Sequence, residues 1–327
     1  MTETFPRRAV LSGLAGALAT GATPALAAGY PDADVTIIVP FAAGGSADVY
    51  GRILAQKLTA ATGHKFILED RPGAASIIGS EAVARARPDG DTLLIISNTH
   101  TVNETLYPHK PFKLLTDFVP VAPINSADLV LVTHPSLGVK TPEALIALAK
   151  KKPGKLTFAS SGFGTPYHMA GELLMQMAGI DLVHVPFKGS SQARIDVIGG
   201  QVDMMFDAIT TMSGLIRGGK VTGIATTGKT RSPVLPNLPC FNEHAVPGYE
   251  AVLWLGLVAP KGTPPAVVNR LNQLVTGIDS TAAIKTSWER QGAALVVMTP
   301  TQFRGFIEGD IAKWAKVIRF AHIHIHA

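Results

Sequence analysis

Val35-Thr36-Ile37-Ile38-Val39-Pro40-Phe41-Ala42-Ala43-Gly44-Gly45-Ser46 is the stretch on which the fold turns. Its first five residues are all β-branched and favour an extended chain, and Pro40 ends the run. Gly44 and Gly45 then make a turn, after which Val49, Ile53, Leu54 and Leu58 recur at the spacing of one helical face. The unit reads as strand, glycine turn, helix.

The same unit repeats along the chain. Residues 66–68 lead to Pro72-Gly73 and a helix through Ala86, and residues 93–97 lead to a polar loop over residues 98–104. Strands alternating with helices predict a mainly parallel, doubly wound sheet. Residues 119–133 break the pattern with two apolar runs around residues 125–128, which reads as the chain crossing into a second lobe. There the alternation resumes with Thr141-Pro142-Glu143, a helix start with a capping hydroxyl, a first-turn proline and an acid. A strand at residues 156–159, a glycine loop at 160–166, a helix at 167–178 closed by Gly179 and a strand at 183–186 follow. Further units fall at residues 190–200, 204–208, 212–219 and 222–226. The apolar run 252–259 is the return crossing, and helices after Pro264 and after the capping box Thr299-Pro300-Thr301-Gln302 complete the first lobe. The expected plan is an export signal at residues 1–28, lobe 1 at 29–124, lobe 2 at 125–247, and the rest of lobe 1 with a terminal helix at 248–327.

The export signal rests on Arg7 and Arg8, a weakly apolar stretch at residues 9–22, and the small-x-small site Ala25-Leu26-Ala27. The paired arginines resemble a twin-arginine signal, and a general secretory signal fits the same residues. Gly13, Gly16 and Gly21 interrupt the apolar stretch, and no later run of ~18 apolar residues replaces it as a membrane anchor. With 46% hydrophobic and 16% charged residues the chain has the composition of a folded α/β protein rather than a disordered one. The single Cys240 cannot form an internal disulfide, so an exported fold of this size stands on its core. The net charge of +5 includes Arg7, Arg8 and Glu3 of the export segment, and the basic residues are scattered, which excludes a nucleic-acid footprint.

Two loops carry the chemistry. Both sit between the carboxyl end of a strand and a helix start, where open α/β sheets bind ligands. In residues 40–48, Gly44 and Gly45 allow close backbone approach, and the following helix start offers unpaired amides to an anion. In residues 160–168, Ser160, Ser161 and Thr165 add hydroxyls while Gly162 and Gly164 remove bulk. Facing each other across a cleft, such loops can hold the two ends of a dicarboxylate; alone, either reads equally as a plain turn. Asp48 either favours the helix start or shapes the loop and meets a ligand amine. His168 reads as a hydrogen-bond partner in its helix or as a ligand contact, and Asp207 as a helix-start residue or a cleft-lining acid. The glycines of residues 162–167 lack the spacing of a dinucleotide fingerprint, and no Walker lysine, nucleophile elbow or HExxH is present. His322, His324 and His326 alternate with isoleucine and read as a solvated tail rather than a metal site.

At these loops the sequence resembles the Bug (TctC-like) family, the extracytoplasmic receptors of tripartite tricarboxylate transporters. The family's strand followed by PF-x-x-GG-x-x-D is met by Pro40, Phe41, Gly44, Gly45 and Asp48. Its ENRPGA block is approximated by Glu69-Asp70-Arg71-Pro72-Gly73-Ala74, and its PDG-x-TLL block by Pro88-Asp89-Gly90-Asp91-Thr92-Leu93-Leu94. Asp117-Phe118-Val119-Pro120-Val121, Pro153-Gly154-Lys155-Leu156, His184-Val185-Pro186-Phe187-Lys188-Gly189, Pro247-Gly248-Tyr249 and Trp254-x-Gly256-Leu257-x-Ala259-Pro260 extend it over the mature chain. Ala42 and Ala43 stand where the family usually has prolines, Asp70 replaces an asparagine, and the histidine-rich end is unusual.

The resemblance implies a type II periplasmic-binding-protein fold, two doubly wound lobes on a two-strand hinge, whose cleft holds a carboxylate through backbone amides, hydroxyls and bridging waters. The candidate contacts are Phe41, Ala43, Gly44, Gly45 and Asp48 in the first loop and Ser160, Ser161, Gly164, Thr165 and His168 in the second. Asn98 and Asp207, each after a strand, complete the set. The expected function is a monomeric periplasmic receptor, without cofactor or catalytic residues. It would capture a dicarboxylate, tricarboxylate, amino-dicarboxylate or aromatic carboxylate and deliver it to one large and one small integral-membrane subunit. A ligand-dependent sensor partner, or an enzyme on the same scaffold, are the alternatives from other classes.

Overall fold

The computed structural model describes residue 1, residues 29–320 and residue 323. The export segment and the three terminal histidines fall outside the described residues. The first lobe opens with β1 (Val35–Val39), α1 (Ser46–Thr62), β2 (Phe66–Asp70), α2 (Ile77–Ala84), β3 (Thr92–Ser97) and α3 (Asn98–Leu106). The third unit corrects the sequence reading, because residues 98–104 form the helix α3 and not a loop. The Ser97 hydroxyl accepts from Thr99 N at 3.2 Å, and His100 Nδ1 accepts from Ser97 N at 3.1 Å, so histidine takes the place that glutamate or glutamine has in a capping box. Burial pushes the His100 imidazole down to about 3, which keeps its ring neutral and one nitrogen free to accept.

After α4 (Leu114–Asp117) comes β4 (Phe118–Thr133), a strand of 16 residues that serves both lobes. The second lobe follows as α5 (Pro142–Lys151), β5 (Thr157–Ser160), α6 (Pro166–Ala178), β6 (Val183–Pro186), α7 (Ser190–Ile198), β7 (Met204–Ala208), α8 (Ile209–Arg217) and β8 (Thr222–Thr226). The chain then returns through β9 (Val252–Pro260), α9 (Pro265–Asp279), α10 (Ala282–Arg290), β10 (Ala293–Ala294) and α11 (Pro300–Phe320). The expected capping box opens α11, with Thr299 N donating to Gln302 Oε1 at 2.9 Å and Gln302 N to Thr299 Oγ1 at 3.3 Å.

The sheet of lobe 1 runs β2-β1-β3-β9-β4-β10, with β1 parallel to β2 and β3. That of lobe 2 runs β8-β4-β7-β5-β6, with β5 parallel to β6 and β7. Strand β4 pairs with β9 as far as Asp128, with β7 from Leu129 and with β8 from Val130, so the change of sheet falls between Asp128 and Leu129. Its register shifts between Pro120 and Ala122, where proline offers no N–H to the ladder, and again between Pro123 and Asn125. At the second pass Thr227 stitches the crossing together. Its N–H donates to Leu129 O at 3.0 Å, its Oγ1 accepts from Leu129 N at 2.8 Å, and its carbonyl accepts from Ala251 N at 3.1 Å. The parallel strands of each lobe point their carboxyl ends at the space between the lobes, which puts the β1, β2, β3, β5 and β6 loops on one cleft. Among the described residues no helix is long and apolar enough to cross a membrane.

Candidate ligand-binding cleft

Loop geometry decides which groups reach the cleft. After β1, Gly44 takes φ +75°, and its N–H donates to Asp48 Oδ2 at 2.8 Å. Asp48 also pairs with Arg52, whose Nη2 lies 3.0 Å from Asp70. The carboxylate therefore clamps the loop from beneath and is not offered to a ligand amine. Helix α1 starts on Gly45, a cap without a side-chain acceptor, so the first-turn amides stay open on the side where Gly45, Ser46 and Ala47 line the cleft.

After β5, Ser160 is fully buried, and its Oγ lies 2.6 Å from His184 Nε2 and accepts from Gly162 N at 3.1 Å. Thr165 caps α6 and donates to Gly162 O at 2.8 Å. His168 Nδ1 accepts from Gly164 N at 3.1 Å, its Nε2 lies 3.1 Å from Glu172 Oε1, and its ring stacks on His184 at 4.0 Å. Burial and the neighbouring His168 push His184 down to about 3. His184 Nδ1 has no partner among the described residues. Among those residues there is also no group of His, Cys, Asp or Glu suited to a metal ion.

The cleft between the lobes has a volume of about 570 Å³. Of the sequence candidates it brings together Phe41, Gly45, Ser161 and Thr165 on its wall. The others lie off the wall for identifiable reasons. Ala43 and Gly44 face the opposite lobe, where Ser191 Oγ donates to Ala43 O at 3.1 Å. Asn98 Oδ1 accepts from Trp254 N at 3.0 Å, tying α3 to β9. Gly164 packs against Val102, Asn103 and Leu106 of α3. Ser160, His168 and Asp48 shape their loops as described. Asp207 is fully buried, accepts from Arg194 Nε at 3.1 Å and Nη2 at 3.0 Å, and caps Ala208 N at 2.8 Å.

Sequence reasoning missed Tyr167, whose hydroxyl lies 3.1 Å from Ser46 Oγ across the cleft and whose phenol is pushed up by burial and by Asp207. It missed residues 72–76 after β2 and 186–190 after β6 as well, and at the β3–α3 junction it chose Asn98 where the flanking Ser97 and Thr99 reach the wall. The signal was present, since each follows the carboxyl end of a parallel strand, as the two chosen loops do. Lys188 is the only charged residue on the wall among the described residues; Phe163, Phe187, Tyr107, Leu253 and Leu255 make most of the rest apolar.

The sequence matches the tripartite tricarboxylate transporter family receptor over residues 50–323. Protein BugT of Bordetella pertussis is 36% identical over 300 residues, covering 91% of this chain and 92% of BugT. Among solved structures, R. palustris Rpa4515 with adipate is 31% identical, with a TM-score of 0.88 over 90% of this chain and 99% of that one. MatC from Rhodopseudomonas palustris with bound malate is 29% identical, with a TM-score of 0.82 over 88% of this chain and all (100%) of that one. Two doubly wound lobes, an interlobe cleft walled by strand-end loops, and these likenesses lead to one conclusion: the chain belongs to the Bug, or TctC, family of periplasmic solute-binding receptors.

Proposed function

We propose that this protein works outside the cytoplasmic membrane, captures a small carboxylate between its lobes, and delivers it to the integral-membrane subunits of a tripartite tricarboxylate transporter. The observation that carries the reading is the wall of the cleft, where uncapped helix starts and hydroxyls on strand-end loops offer neutral donors and Lys188 the sole charge among the described residues. Preorganised amides at helix starts suit a carboxylate, which accepts several hydrogen bonds at once. The adipate and malate carried by the two structural relatives support the same chemistry. The likeness to a family of solute-binding receptors supports binding without a bond-making step.

Calorimetric titration with a panel of mono-, di- and tricarboxylates tests the reading. At least one acid is expected to bind, and Ser161→Ala and Thr165→Val are expected to weaken it roughly tenfold. A panel in which no carboxylate binds the folded protein overturns it.

A further inference from the structure

The cleft wall carries a further set of polar donors besides those of the two glycine loops. After β2, Ala74, Ala75 and Ser76 adopt φ of +45°, +53° and +72°, three successive non-glycine residues in the left-handed region. Strain of this kind persists where the surroundings over-determine it, and ligand clamps are among the places it gathers. Successive amides of a single-handed turn point the same way along its axis, as at a helix start, and can converge on one anion. The amides of Ala74, Ala75 and Ser76 have no acceptor among the described residues, whereas Ala75 O is held by Asn103 Nδ2 at 2.7 Å. The carbonyl side of the loop is tied down and the amide side is open.

Two hydroxyls stand with it. Ser76 is 4% exposed and Thr99 is 0% exposed, both line the cleft, and neither Ser76 Oγ nor Thr99 Oγ1 has a partner among the described residues. A buried hydroxyl without a partner is costly and marks a place where a missing acceptor fits. Phe41, Phe163, Phe187, Leu253 and Leu255 give the cleft its apolar wall, and no acid among the described residues lines it to meet an ammonium group.

We propose that residues 74–76 and Thr99 bind the second carboxylate of a dicarboxylate with an apolar body, a methylene chain or a ring without amino or hydroxyl substituents. The glycine loops take the first carboxylate. The inference rests on the carboxylate-receptor reading above and narrows it.

Matched probes separate the two. Adipate and hexanoate share a chain and differ by one carboxylate, terephthalate and benzoate share a ring, and malate and aspartate carry polar bodies. By calorimetry, adipate or terephthalate is expected to bind at least tenfold tighter than its one-carboxylate counterpart and than malate or aspartate. Thr99→Val, close to isosteric, is expected to weaken that diacid roughly tenfold to a hundredfold while leaving the matched monoacid unchanged. Without ligand the same variant should melt at a higher temperature, since it removes an unpaired buried hydroxyl. Ser76→Gly, which suits the positive φ, gives a second loss of diacid affinity should Thr99→Val fail to fold. Equal affinities for diacid and monoacid, malate or aspartate binding as tightly, unchanged diacid affinity in the variants, or binding confined to other carboxylates each overturn the inference and leave the receptor reading standing. No binding by any carboxylate overturns the receptor reading itself.

Discussion

Asp279, at the end of α9, is 1% exposed, and burial pushes its carboxyl up to about 8. The unfolded chain releases that proton at about pH 4, so between there and about pH 8 the native state holds a proton that the unfolded state has lost, and stability falls as pH rises through the window. Asp279→Asn removes the ionisable group, and denaturant unfolding should show it gaining about 1–3 kcal/mol on the parent at pH 8 and little at pH 5. A difference independent of pH would show that the carboxyl is not the cause. Asp207 is likewise a fully buried acid whose carboxyl is pushed up by burial, but here Arg194 is bonded to it. Asp207→Ala strips that arginine of its partner and should cost about 3–5 kcal/mol in chemical denaturation, whereas a loss under 1 kcal/mol would make the pair incidental. The sequence marks Asp207 as an acid after a strand and Ser160 as a hydroxyl in a glycine loop. It does not show that Arg194 reaches the first or that His184 occupies the second, because such partners are set by the packing of different elements.

The β1 loop and the start of α7 meet across the cleft. Gly189 has φ +152°, and a Cβ placed there would lie 2.7 Å from Ala42 Cβ. Gly189→Ala should therefore prop the cleft open and weaken ligand binding at least tenfold, with the circular dichroism unchanged. Ala42→Gly in the same chain should recover part of the loss; no recovery would show that the effect comes from backbone strain at Gly189 alone. Elements were legible where apolar spacing was regular, as in β1 with α1 and β5 with α6. Helix α3 was not, because Asn-Thr-His-Thr-Val-Asn-Glu over residues 98–104 has no apolar stripe and its capping partner is a histidine. Strand β4 read as two runs because Asn125, Ser126 and Asp128 interrupt the apolar pattern, and these polar residues stand where the strand passes from one sheet to the other.

At the scale of the molecule the two apolar crossings revealed a pair of lobes, while the depth of the cleft emerged only from the folded arrangement of both sheets. A bilobal receptor should close on its ligand by rotation at the crossings. Small-angle scattering is expected to give a smaller radius of gyration at saturation than without ligand, and superimposable curves would count against closure. Thr227→Val tests the stitch itself. It removes the acceptor for Leu129 N and should lower stability by about 1–3 kcal/mol, and unchanged unfolding would show that the hydroxyl is dispensable. Between the lobes, side-chain hydrogen bonds join Ser46 to Tyr167, Ser191 to Ala43, and Thr210 to both Tyr50 and Gln291 O, and the Ala42 methyl abuts Gly189. At about 0.5–1.5 kcal/mol net for each hydrogen bond, four such bonds hold the shut form by about 2–6 kcal/mol, a finite bias that thermal motion still overcomes. An empty receptor would then flicker open spontaneously, and the residence time of a cargo molecule would be set by its own grip on the walls, so that good and poor cargoes differ mainly in how fast they leave. A membrane partner that engages both lobes would need to do only that small mechanical work to discharge it.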